Sequence, residues 1–196
     1  MLRALASPLP IAWVTADSSN GQESRFRRFL EQSGIGYVLA VPKSQFIVGC
    51  PRIESLFAQA PDEAWQKASC GDGAKGPRVY HWAAVRLPAV AEFDYQGEFP
   101  HRMRWALARR SISKPDEIAY YLACASLATN ARELVRIAGS RCAIEECFQA
   151  AKNECGLDQH EVRRYVGWHR HITSPCSRTP SWRPPRTRSE KWGRNR

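Results

Sequence analysis

No stretch of this chain approaches the roughly 20 uninterrupted apolar residues that a membrane helix requires, although 43% of its 196 residues are hydrophobic. That lack excludes a helical membrane span and predicts a soluble protein. The opening MLRALASPLP leads straight into a strand-like run, with neither the apolar region nor the small-residue cleavage site of a secretory signal. A cytoplasmic location is the expectation. CxxC pairs are missing too. The seven cysteines, at positions 50, 70, 124, 142, 147, 155 and 176, are odd in number. This argues against a disulfide framework and makes them small core residues of a protein in a reducing compartment. No internal repeat is found. Beyond Ser174 there is no Ala, Val, Ile, Leu, Met or Phe, but there are four prolines. Residues 175–196 therefore cannot build a core and are expected to form a disordered basic tail.

Positive charge is in excess, at a formal +10. From Pro175 to Arg196 there are seven Lys or Arg and one Glu, while the first 174 residues carry 22 basic and 18 acidic side chains. The surplus of the main body is ordinary, so net charge alone does not point to nucleic acid. The length suits one sizeable core with attachments.

Residues Ile11 to Ala16 (IAWVTA) form an apolar run of strand length that ends in Asp17 and a polar turn to Gly21. Phe26, Phe29 and Leu30 then recur at helical spacing and Gly34 supplies a stop, before a second apolar strand from Gly36 to Val41. The first 42 residues thus read as a βαβ crossover. Three β-favouring segments follow, VYHWAAVRL, RMRWALARR and EIAYYLACA, and suggest an antiparallel insertion over about residues 43–128. From Asn130 to Glu154 the pattern becomes helical, expected in two pieces broken near Gly139 and Ser140. A further amphipathic stretch runs from Gln159 to Thr173. The expected class is α/β, a mixed sheet flanked by helices with a β-rich insertion, occupying residues 1–174.

The chemistry-bearing pattern lies in RCAIEECFQAAK. On a helix, Arg141, Glu145 and Lys152 share one stripe, with Ile144, Phe148, Ala151 and Cys155 beside them as an apolar stripe. This puts Glu145 at the margin of a buried face. A surface Arg–Glu pair is the plainer alternative, worth about 0.3 to 0.5 kcal/mol. Asp17, just past the end of an apolar strand, stands where open α/β sheets place ligand groups. Its plainer alternative is a helix N-cap, by Asp17 or Asn20. GDGAKG, from Gly71, lacks the spacing of a phosphate loop and precedes a strand, so it reads as a turn. Cys155, His160, His169 and His171 fit no standard zinc spacing.

The segments Trp13-Val14-Thr15-Ala16-Asp17, Gly71-Asp72-Gly73-Ala74-Lys75-Gly76-Pro77-Arg78 and Ala143-Ile144-Glu145-Glu146-Cys147-Phe148-Gln149-Ala150-Ala151-Lys152 resemble DDE transposases of bacterial insertion sequences, in chain order from about residue 5 to 173. In the branch with a Tyr-x2-Arg-x3-Glu-x6-Lys signature, Arg141, Glu145 and Lys152 match in type and spacing. Ala138 stands at the Tyr position, a departure that bears on DNA contacts rather than on a metal ligand.

The resemblance implies an RNase H-like core in which Asp17 is the second and Glu145 the third acid of a Mg²⁺ or Mn²⁺ site. Arg141 and Lys152 would grip the phosphates of the DNA at the inverted-repeat ends of a mobile element. It also implies a homodimer or association with a full-length transposase, and a strand bearing a first Asp that is not found upstream of Ile11. Asp72 and Asp94 do not replace it. The chain is therefore expected to be inactive alone. The alternatives are a non-catalytic DNA-binding or inhibitory fragment, and a pseudogene product. A shifted reading frame after Ser174 is permitted by the residues and would extend the last helix with apolar ones.

Overall fold

The structure, a computed structural model, describes residues 10–47, 50–73, 76–87, 101–159 and 164–178. Two compact units divide the chain, 1–143 and 144–196.

The first unit is built on a six-stranded mixed sheet among the described residues. Strand β1 (Trp13–Ala16) is followed by one turn of helix, α1 (Ser18–Gly21), and then by α2 (Ser24–Gln32). Strand β2 (Gly36–Val41) runs parallel to β1, with Trp13 opposite Gly36 and Ala16 opposite Leu39. The expected βαβ crossover is therefore present. Its helix stops where expected: Ser33 caps α2 and Gly34 adopts φ +70, a backbone conformation that side-chain-bearing residues resist.

A short helix, α3 (Ile53–Ala58), precedes an antiparallel meander of β3 (Gln66–Gly73), β4 (Gly76–Arg86), β5 (Arg102–Arg110) and β6 (Ile118–Ser126). The sheet order is β1-β2-β6-β5-β4-β3. The β-rich segment is thus no separate layer: β6 pairs antiparallel with β2, Leu39 opposite Leu122, and extends the same sheet. β2 lies between β1 and β6 and is buried along almost its whole length, which is why GYVLAV is apolar throughout instead of alternating. Residues 48–49, 74–75 and 88–100, with Asp94 among them, lie outside the described residues.

Strand alternation sends side chains to two faces. On one face Tyr37, Leu39 and Cys124 pack with Leu30 of α2, and Ala83, Ala106, Ala108 and Leu122 pack with Ile53 and Phe57 of α3. On the other face Val38, Trp82, Trp105, Leu107 and Tyr121 meet Leu134, Val135, Ile137 and Ala138. These last four belong to α4, which runs from Ala131 to Cys155.

Helix α4 corrects the sequence expectation: it is a single 25-residue helix and does not break at Gly139. Gly139 is there because the backbone of Cys70 in β3 comes so close that a Cβ would collide with the Cys70 carbonyl. The missing side chain marks close packing, not a stop.

The second unit contains the rest of α4 and helix α5 (Tyr165–Arg178). Gly156, at φ +64, ends α4, and its N–H and that of Leu157 return to the carbonyls of Lys152 and Ala151. A helix is found in the expected amphipathic stretch, but it begins at Tyr165 instead of Gln159 and continues to Arg178, so residues 175–178 are helical and not part of a disordered tail. The rest of the predicted tail, 179–196, lies outside the described residues. Among those described, no helix is long and apolar enough to cross a membrane. Cys70 and Cys124 are buried as expected of core residues, while Cys50, Cys142 and Cys147 are only partly so.

Candidate functional site

Strand β1 ends because Asp17 turns the chain. In an extended conformation, Asp17 N-caps α1, its Oδ1 accepting from the Asn20 backbone N–H at 3.2 Å and from Asn20 Nδ2 at 3.0 Å. The plainer role foreseen for Asp17 is filled. It does not exhaust the residue, because the same bonds favour the carboxylate over the neutral acid. The Asn20 backbone bond does most to hold the Asp17 pKa below its usual value, the Asn20 side chain adds to it, desolvation opposes, and the positive charge of Arg141 lowers it further. Two of the four predicted site residues, 124 positions apart, are thereby within electrostatic reach inside the first unit.

Glu145 and Lys152 lie farther along α4, one turn and three turns beyond Arg141, and belong to the second unit. Both side chains are exposed, and Arg141 is half-buried. The apolar stripe expected beside Glu145 is not buried as a whole: Ala151 is 2% exposed, but Ile144 and Phe148 are each 52% exposed. Periodicity marks a face that could be covered; it does not supply a neighbour to cover it.

The donor types suit a hard divalent ion, since Asp17 and Glu145 offer carboxylate oxygens and Asp17 is held ionised. In number they fall short: among the described residues no three Asp, Glu, His or Cys side chains cluster as a metal site. Asp72 sits near the end of β3, opposite Pro77 of β4; residues 71–73 of GDGAKG are strand instead of turn, and residues 74–75 lie outside the described residues. His160 is outside the described residues.

Two features were invisible in the sequence. Buried Glu31 on α2 accepts the Tyr37 hydroxyl at 2.7 Å and a two-pronged pair from Arg104, at 3.0 Å from Nε and 2.6 Å from Nη2. This is a structural lock between helix and sheet, and burial with the adjacent Glu31 charge pushes the Tyr37 pKa well up. Also, Arg110, Arg109 and Arg86 of the meander lie over the rings of Trp65, Tyr80 and Trp105, 4.3, 4.6 and 4.9 Å from their centroids. Neither set has a local spacing that could announce it. Compared with known families and with curated proteins, the chain matches no family model and no curated protein.

Proposed function

We propose that this chain is an RNase H-like domain of the DDE transposase type, related to enzymes that cut and join DNA at the ends of a mobile element, and catalytically incomplete by itself. The observation that carries the reading is the setting of Asp17: an ionised carboxylate at the end of a strand parallel to its neighbour, with Arg141, from the Arg-x3-Glu-x6-Lys pattern, acting on it electrostatically. Among the described residues β1 is also the outermost strand of its sheet, the side on which the resemblance would place the strand with the first acid. The mixed sheet between helices is compatible with that fold.

In this reading Asp17 and Glu145 are the oxygen donors that the resemblance would assign to a Mg²⁺ or Mn²⁺, and the chemistry such an ion would supply is activation of an attacking oxygen and stabilisation of a leaving one. Arg141 holds a phosphate as a fork and Lys152 as a point charge.

The test has two arms. The purified chain is expected to leave supercoiled DNA intact in Mg²⁺ or Mn²⁺, and robust nicking that Glu145→Ala abolishes would overturn its incompleteness. Arg141→Ala and Lys152→Ala should each weaken duplex binding and reduce the salt slope by about 1. Duplex binding indifferent to both removes the phosphate-gripping role, and the reading with it.

A further inference from the structure

Helix α5 displays an aromatic cluster. Tyr165 and Trp168 stack with centroids 6.0 Å apart and 23° between planes, and His169 meets both edge-on, at 4.6 and 5.2 Å. The spacing i, i+3, i+4 puts the three rings on one side of the helix. Such a stripe ordinarily faces a core, yet Tyr165 is 71% and Trp168 42% exposed. The helix itself is anchored: the His171 ring bonds the Leu157 carbonyl in the connection after α4, at 3.1 Å.

Exposed arginines flank the rings along the helix. Arg164 precedes the cluster and Arg170 follows it, both exposed. A partner that is anionic and offers flat π-faces at the spacing of a ring pair is an unpaired nucleic-acid strand. Its phosphates meet the arginines and its bases stack on the rings, as in proteins that hold single strands without reading sequence. Duplex DNA keeps its bases stacked on one another and has no use for the cluster.

We propose that the Tyr165–Trp168–His169 face of α5 is a stacking platform for unpaired bases of single-stranded DNA. The choice of DNA over RNA rests on the strand-transfer reading; the stacking rests only on the rings and the charge.

The test measures binding of fluorescent oligo(dT), oligo(rU) and a mixed-sequence duplex to the full chain. Trp168→Leu, which keeps apolar bulk and removes the π-face, should weaken oligo(dT) binding on the order of tenfold. Trp168→Phe should stay within about twofold of the parent, and the duplex should bind all three proteins alike. Equal oligo(dT) binding by the Leu variant and the parent overturns the platform. So does a parent dimer that Trp168→Leu dissociates, because the face then belongs to a second copy of the chain. Tighter binding of oligo(rU) than of oligo(dT) overturns the assignment to DNA. None of these results touches Arg141 or Lys152, whose duplex arm fails or stands separately.

Discussion

The two portions of helix α4 follow one sequence rule and meet different ends. In the first unit Leu134 and Val135 are 0% and 3% exposed, sealed against the sheet, whereas in the second Ile144 and Phe148 are left about half-exposed. The first unit also ties up its buried charge, Glu31 with Arg104 and Tyr37. The second shows large apolar side chains at its surface, on α5 as well as on α4. An apolar side chain stabilises a fold only where partner atoms replace water. The same residue types are therefore buried along one portion of α4 and half-exposed along the other.

The contrast can be broken most forcefully at the buried lock. Arg104→Met leaves Glu31, with 1% of its side chain exposed, as an uncompensated charge, and should cost about 3 to 5 kcal/mol in urea unfolding. The double variant with Glu31→Leu should recover most of that loss. If the single variant unfolds like the parent, the first unit is not held in this way. Next comes a paired truncation along α4. Leu134→Ala should cost about 2 to 5 kcal/mol and Phe148→Ala under about 0.5 kcal/mol. Comparable losses at both positions would erase the distinction between the units.

The smallest effect appears only in alkali. Burial pushes the Tyr121 phenol from 10.0 up to about 12 and the Cys124 thiol from 9.0 up to about 11. The unfolded chain releases these protons first, so their contribution is complete below 9.0 and is lost as pH rises through about 11 and about 12. Unfolding followed as a function of pH should show this fall, and Tyr121→Phe should flatten its upper part. A parent profile flat across this range would contradict the burial of both groups.

Much of the sheet was legible. VYHWAAVRL, RMRWALARR and EIAYYLACA are rich in aromatic and apolar residues bounded by turn residues, and they became β4, β5 and β6. β3 was not legible, because QKASCGDG has few strand-favouring residues; pairing with β4 supplies what propensity does not, with a register shift between Ser69 and Asp72. Helix α3 is only six residues long, too short for a period to show. Gly139 misled because one glycine can signal either a break or a close approach, and only the Cys70 backbone decides. Of the candidate site, the strand-end position of Asp17 and the helical stripe of Arg141, Glu145 and Lys152 could be read from local pattern. The influence of Arg141 on Asp17 could not, since it depends on how α4 crosses the sheet.

Gly139 also has a mechanical consequence. The helix is pinned to β3 where it has no side chain, and Arg141 projects two residues further on. A single added methyl would meet the Cys70 carbonyl, so helix or strand would have to shift at this point. The setting of Arg141 against Asp17 thus leans on a contact that only a residue without a side chain permits.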